Sequence, residues 1–191
     1  MVQTLKLLFI LLILFPGRSF SQDTTVIRKG LLSVHGTIAP AFMLVSNTGT
    51  INNYLHGNAE FYTDRDFSIA GDIFYFVGAQ SGSSPLRANH SNFFGGNFHS
   101  SMKNSDMFFG FQPGIGYSAV QKNVAGEMIL QRSVNPLVSV NTGLRIFVSK
   151  FFHFFLEVRY VHGKHITSAA AVSLDEIKLS GGLGLNLNVL K

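Results

Sequence analysis

The chain has 191 residues with no cysteine and no tryptophan, and 15 basic against 10 acidic side chains give a net charge of +5. Without cysteine there is no disulfide framework, thiol nucleophile, zinc–thiolate site or lipid-anchoring cysteine, and so small and scattered a positive charge does not point to nucleic acid. Charged residues make up 13% of the chain, about half the usual globular share, so a soluble domain would have trouble covering its surface with polar groups.

Residues 1–21 read as a cleaved secretory signal. Lys6 supplies the positive start and Leu7 to Phe15 form an unbroken apolar run. Pro16 and Gly17 break that run, and Ser19 and Ser21 place small residues at the −3 and −1 positions before Gln22. The run is far short of the roughly 20 residues that span a bilayer as a helix. Cleavage after Ser21 removes Lys6 and Arg18, which lowers the net charge from +5 to +3 and leaves residues 22–191 as one domain.

The mature chain has no apolar run long enough for a transmembrane helix. It alternates instead with a period of two, the signature of strands with two unlike faces. Eight strands are predicted. In 31–44, Val34, Ile38, Phe42 and Leu44 oppose His35 and Thr37. In 55–62, Leu55, Ala59 and Phe61 oppose His56, Asn58 and Glu60. In 67–77, Phe67, Ile69, Ile73, Tyr75 and Val77 oppose Ser68, Asp72 and Phe74. Residues 91–100 form a fourth strand, with a parity break expected at a bulge in Phe93-Phe94-Gly95-Gly96. In 107–117, Phe109, Phe111, Ile115 and Tyr117 oppose Gly110, Gln112, Gly114 and Gly116. In 137–148, Val138, Val140, Leu144, Ile146 and Val148 oppose Ser139, Asn141, Gly143 and Arg145. In 154–161, Phe154, Leu156, Val158 and Tyr160 oppose Glu157 and Arg159. In 177–189, Leu179, Leu183, Leu185, Leu187 and Val189 oppose Lys178, Ser180, Gly182, Gly184, Asn186 and Asn188.

The links alternate in length. Those at 63–66, 101–106 and 149–152 are short, and those at 45–54, 79–90, 120–135 and 165–176 are longer. Short turns at one end and long loops at the other are the topology of an outer-membrane barrel. A soluble barrel would carry its charged face outside. Here one face is nearly all Leu, Val, Ile, Phe and Tyr, and the other holds Gly, Ser and Asn with few charges, which suits lipid outside and a narrow lumen inside. Tyr75, Tyr117 and Tyr160 share the apolar face near the loop ends of their strands, with Phe67 and Phe109 near the turns. From Phe67 to Tyr75 is roughly 26 Å along a strand, or about 20 Å of height at a tilt of about 40°, close to the roughly 25 Å band between two aromatic girdles. The fold class is therefore all-β, an eight-stranded antiparallel up-and-down transmembrane β-barrel.

This pattern, with the stretch Phe111-Gln112-Pro113-Gly114-Ile115-Gly116, resembles the superfamily of small Gram-negative outer-membrane barrels, which includes adhesin-like barrels and the transmembrane domain of outer membrane protein A. The resemblance covers roughly residues 30–190 and is one of pattern. It implies an integral outer-membrane location, a monomer, contact with outer-membrane lipid and lipopolysaccharide, insertion by the outer-membrane assembly machinery, and no cofactor. Many such barrels end in an aromatic residue that this machinery reads, whereas this chain ends Val189-Leu190-Lys191.

Candidate chemistry follows from the polar face. Glu60, Asp72, Glu157, Arg145, Arg159 and Lys178 form an expected lumen charge network of three acids and three bases, because an unpaired buried charge is costly. A turn centred on Phe151 would place Arg145 opposite Glu157 and Gly143 opposite Arg159. His35, His56 and His99 share the lumen parity, but nothing sets them at one height for a metal. His162 and His165 fall on opposite faces. His165, Thr167 or Ser168, and Glu176 faintly resemble the motif of barrel lipid A deacylases, with Thr167 where the serine should stand. Continued strand parity turns His165 inward, away from lipid. Three readings stay open: a structural or surface-interaction barrel with contact loops at 79–90 and 120–135, a lipid A-modifying hydrolase, and a small transport barrel for apolar solutes. The first is the expectation.

Overall fold

A computed structural model describes residues 26–27, 29–44, 50–80, 86–102, 104–124, 127–166 and 172–190. The expected signal segment 1–21 and the residues Thr167 and Ser168 lie outside them. Eight long strands are β1 (Leu31–Met43), β2 (Ile51–Tyr62), β3 (Phe67–Ala79), β4 (Leu86–Met102), β5 (Ser105–Val124), β6 (Glu127–Phe147), β7 (Phe152–His165) and, after a two-residue strand β8 (Val172–Ser173), β9 (Glu176–Asn188). From β1 to β7 each long strand pairs antiparallel with the next, and β9 lies between β7 and β1 and closes the ring. Among the described residues, β8 pairs with the last residues of β7.

The period-two pattern becomes two faces of one wall. β7 shows it most strictly, with every even residue from Phe152 to Lys164 exposed and every odd one from His153 to His165 buried. Ile38, Leu55, Ile73, Phe94, Phe111, Leu156 and Leu185 all stand on the outside with large exposed areas. Histidines, carboxylates, arginines and amides turn inward and are buried. A closed ring pairs its backbone groups strand to strand, which is what lets such a wall sit in hydrocarbon.

Four sequence expectations are corrected. The parity of β4 runs unbroken through Phe93–Gly96, because Gly95 and Gly96 stay in register with Ala70 and Ile69. The irregularities fall instead at Asn53/Tyr54 and Leu86/Ala88. The β6–β7 hairpin is shifted by one residue on each strand, so that Arg145 faces Phe155, Gly143 faces Glu157 and Asn141 faces Arg159. Backbone bonds from the Val148 and Ser149 N–H groups to the Phe152 carbonyl, at 3.1 and 3.2 Å, set that tighter turn. Finally, 120–135 is mostly strand: β5 and β6 pair continuously up to Val124↔Glu127. β4 leaves β5 at Leu86↔Val120 and β7 leaves β6 at Leu137↔Gly163. Beyond those points, among the described residues, β5 and β6 form ladder pairs with each other alone. The inside–outside alternation ends there, and Met128, Ile129 and Leu130 are all exposed. Likewise, Leu86–His90 of the expected loop 79–90 belongs to β4.

Two buried apolar clusters lie toward the two ends of the lumen. At the turn end, Ile27 packs on Leu31, Tyr62 and Phe147. Toward the loop end, Met43, Phe76, Leu86, Val120, Leu137 and Leu174 belong to one larger cluster with Phe74 and Phe93 beneath them. Buried polar side chains fill the lumen between these clusters, and Asn135 and His165 lie beyond Leu137 toward the loops.

Close packing inside the ring makes some glycines obligatory. A Cβ on Gly143 would run into the Leu156 carbonyl oxygen and the Phe108 ring, whereas one on Gly57 would meet nothing within 4 Å. Gly143→Ala is expected to destabilise the barrel by about 1–3 kcal/mol through overpacking. Gly57→Ala should be neutral or stabilise it by roughly 0.5–1 kcal/mol. Urea unfolding followed by the folded and unfolded gel mobilities measures both, and equal midpoints for the two variants would contradict the packing.

Candidate functional site

The candidate site is the chain of buried charge along the lumen. Its lowest group forms around Arg145 on β6. The Arg145 guanidinium donates to Glu60 and to the Tyr62 hydroxyl, both on β2. It stands 4.5 Å from the centre of the Phe108 ring, a desolvated cation–π contact. Glu60 also accepts from Ser68 and, at 2.6 Å, from the Asn97 amide. His99 sits between two carboxylates, 3.2 Å from Glu60 and 2.8 Å from Asp106.

The middle group forms around Arg159 on β7. Its guanidinium reaches Asp72 at 2.8 Å and Glu157 at 2.9 Å, and it donates to Gln112 at 2.5 Å and to Ser139 at 3.1 Å. Asp72 lies 2.8 Å from one ring nitrogen of His56, whose other ring nitrogen is 2.9 Å from the Ser180 hydroxyl. The His56 ring stacks on Phe74, with centroids 4.1 Å apart. The upper group joins Lys178 to Glu176 at 3.1 Å. Tyr54 donates to Glu176 at 2.8 Å, Asn52 donates at 2.6 Å, and Lys178 lies 3.3 Å from the centre of the Tyr54 ring.

All six charges read from the sequence (Glu60, Asp72, Arg145, Glu157, Arg159 and Lys178) are thus buried. They fall into three paired groups, and Arg145 pairs with Glu60 across the lumen, not with Glu157 on the next strand. Sequence reasoning missed two further carboxylates, Asp106 and Glu176, and two inward tyrosines, Tyr54 and Tyr62. Asp106 and Glu176 had been assigned to links, and Tyr54 lay just before the predicted start of β2. Extending each strand's parity by one residue finds Asp106, Glu176 and Tyr54. Tyr62 already shared the parity of His56, Asn58 and Glu60. Among the described residues, five lumen carboxylates therefore face three basic side chains, and three of the carboxylates, Glu60, Asp72 and Asp106, each touch a histidine.

His35, His56 and His99 do not meet at one site. His35 stacks on Phe155 at 3.8 Å and meets His56 edge-on at 5.3 Å, while His99 belongs to the Arg145 group. Among the described residues, His56, Asp72 and Glu157 do bring ligand atoms within 4.8 Å of one another. Their donors do not fit a cation, because the Arg159 guanidinium already pairs with both carboxylates. The deacylase-like set is not assembled among the described residues either. His165 is buried on the inner face, with its Nδ1 2.7 Å from the Ser118 hydroxyl. Glu176 is engaged by Tyr54, Asn52 and Lys178. His162 stands on the outer face, 2.9 Å from Asp175.

On the outside, Tyr75, Tyr117 and Tyr160 are exposed near the loop end, Phe109 is exposed near the turn end, and Phe67 is half-buried against Phe98 at 5.3 Å.

No family model and no curated protein sequence matches the chain. Solved structures do match in fold. Neisserial surface protein A is 14% identical, with 84% of this chain and 97% of that chain covered at a TM-score of 0.65. The outer membrane protein OprG of Pseudomonas aeruginosa is 11% identical, with 84% and 97% covered at 0.59. Ail, the attachment invasion locus protein of Yersinia pestis, is 11% identical, with 83% and 99% covered at 0.56. The ring closure, the apolar outer wall and these three likenesses together show the fold, a small eight-stranded antiparallel β-barrel like that of these outer-membrane proteins.

Proposed function

We propose that this protein is a structural and surface-interaction barrel: a monomer that stiffens its patch of outer membrane and presents its loop end to the outside. The observation that carries this reading is the filled lumen. Three charge-paired groups lie between two apolar clusters, and an eight-stranded ring is just wide enough for side chains to fill. Tyr75, Tyr117 and Tyr160 would anchor the wall at the outer interface, and Phe67 and Phe109 at the inner one. Lipid and lipopolysaccharide would bound the wall, with insertion by the outer-membrane assembly machinery. The contacts belong to the loop end, where β5 and β6 extend past the described ladders of β4 and β7.

The lumen groups act in this reading as internal struts. Arg145→Ala leaves Glu60 buried without its cation, which is expected to cost about 3–5 kcal/mol. Replacing both partners, Arg145→Met with Glu60→Gln, should recover most of that loss. Urea unfolding in detergent reads the cycle, and additive single and double changes would show that the pair carries no coupling.

A closed lumen predicts conductance. Reconstituted in planar bilayers, the barrel is expected to give no stable channels of porin size, and steady large openings would overturn the reading. Catalysis is likewise expected to be absent. Purified barrel mixed with lipid A in detergent should release no acyl chain, because His165 faces inward and a deacylase must meet its substrate on the outer wall. Acyl release that His165→Ala abolishes would establish the hydrolase instead.

A further inference from the structure

Arg145, Arg159 and Lys178 in the lumen each pair with a carboxylate. On the outer wall, Arg87 of β4 and Arg132 of β6 are exposed toward the loop end. Among the described residues neither forms an ion pair. The two flank one strand. Arg132 pairs with Ala119 of β5, and Arg87 lies between Leu86 and Ala88, which pair with Val120 and Ala119 from the other side. A bulge turns Arg87 outward. Asn89 and Ser91 are buried in the lumen, and unbroken alternation would send Arg87 inward with them. The register shift between Leu86 and Ala88 instead places Leu86 in the lumen cluster and leaves Arg87 exposed, the re-aiming that a bulge supplies. Gln121 accepts from Arg87 Nε at 2.5 Å and holds that side chain against β5. Two strand spacings, about 10 Å, separate the arginine backbones. Ala119 shares the outward parity of Tyr117 and Gln121 and puts only a methyl group between the arginines, so both guanidinium groups can converge on one small anion.

The height of the pair identifies the layer it meets. The ladder that starts at Leu32 returns, once round the ring, to β1 at Phe42. Rows therefore climb toward the loop end by about 1.25 residues per strand in chain order. Arg132 stands two residues beyond Val134, which pairs with Tyr117. With the climb it lies roughly 3 residues, or about 8 Å of height at a tilt of about 40°, above that tyrosine. Arg87 stands beyond His90, which pairs with Tyr117 from the other side. Bulge and climb together leave it about one residue, roughly 3 Å, above Tyr117. The His90 ring lies 4.4 Å from that of Tyr75 and 6.1 Å from that of Tyr117. Such interfacial rings sit at the headgroup level, in a layer roughly 5–8 Å thick. Arg87 meets that layer from its base and Arg132 from its top.

We propose that Arg87 and Arg132 form a clamp on the outer wall for a phosphate monoester on the headgroup of an outer-leaflet glycolipid. The proposal rests on the reading that the loop end lies in the outer leaflet. A phosphate monoester carries close to two negative charges and three strong acceptor oxygens, so it can take a charge-assisted contact from each guanidinium. It also offsets the repulsion between two like charges held beside one strand. A zwitterionic headgroup keeps its own cation beside its phosphate diester and gains less from the pair.

The test places the full barrel in phosphatidylcholine nanodiscs doped with lipid A and counts lipid A retained by native mass spectrometry. The wild type is expected to retain lipid A and to lose the dephosphorylated form. Arg87→Ala and Arg132→Ala should each weaken retention about tenfold, as for one charge-assisted contact. Lys164→Ala removes an equal charge from the outer face of β7, farther from Arg132 along the register than the ~8 Å screening length. It should leave retention unchanged within about twofold. Ala119→Leu, which parts the two arms without touching a charge, should weaken retention. Inorganic phosphate at matched ionic strength should not displace the lipid. Equal retention by the wild type and both arginine variants overturns the proposal. So does an equal fall in Lys164→Ala, full retention in Ala119→Leu, retention of the dephosphorylated lipid, or displacement by inorganic phosphate. Folding is checked on each variant by the gel shift on boiling. A wild type that shows no shift and does not enter the discs refutes the membrane-barrel reading itself, whereas a folded wild type in discs that retains no lipid A refutes the clamp alone.

Discussion

Hydrocarbon offers no partner to an unpaired N–H or C=O, so a chain that crosses it in strands must close its sheet into a ring. The other features of this molecule follow from that closure. A ring has two faces, and strand side chains alternate between them, so the sequence is sorted residue by residue into a lipid set and a lumen set. The register of β1 with β9 and of β6 with β7 completes the circle. At eight strands the enclosed space is too narrow to be left to water and must be filled by side chains. The inner face therefore carries the bulk and the charge that the outer face cannot.

Filling a lumen with charge raises its own problem. Ile27, Leu31, Tyr62 and Phe147 lie toward one end, and the cluster of Met43, Phe76, Leu86 and Leu174 lies toward the other. Between them, each charge must be neutralised by a neighbour, because desolvation costs several kcal/mol per ion (about 3–5 kcal/mol when one partner is removed). The three groups do this locally: Arg145 with Glu60, Arg159 with Asp72 and Glu157, Lys178 with Glu176. Histidine and amide donors take up the remaining carboxylate oxygens, His99 at Asp106 and Asn58 at Asp72. This explains why a histidine-and-carboxylate cluster with metal-like spacing holds an arginine. Its geometry is that of a guanidinium satisfied on several sides.

The two faces were legible in the sequence because lipid and lumen demand such different residues. Thr37, Asp72, Arg145 and Lys178 could be read as inward from parity alone. Partnership was less legible. The pairing of Arg145 with Glu60 joins β6 to β2 across the lumen, and no periodicity along one strand carries that information. Register along β6 and β7 hinged on a turn where Ser149 Oγ accepts from the N–H groups of Phe151 and Phe152. That local cap moves the hairpin centre from Phe151 to Lys150 and re-pairs every residue behind it. Strand ends were hidden for a related reason: the inside–outside alternation ends along the extension of β5 and β6, so the contrast that marks a strand elsewhere is missing there.

Outward charge fixes where the wall sits. A cation on the lipid face costs about 2–4 kcal/mol at the bilayer midplane and little near the interfaces. On β7 the outward column runs Phe152, Phe154, Leu156, Val158 and Tyr160 before it reaches His162 and Lys164. From Phe152 to Tyr160 is roughly 26 Å along the strand, or about 20 Å of height at a tilt of about 40°, which nearly fills the roughly 25 Å apolar band. Arg87 on β4 and Arg132 on β6 are likewise exposed toward the loop end, and Lys150 is exposed in the turn at the other. The barrel thus has almost no freedom to slide along the membrane normal. Raising it would strand apolar wall in water, and lowering it would drag Lys164 into hydrocarbon.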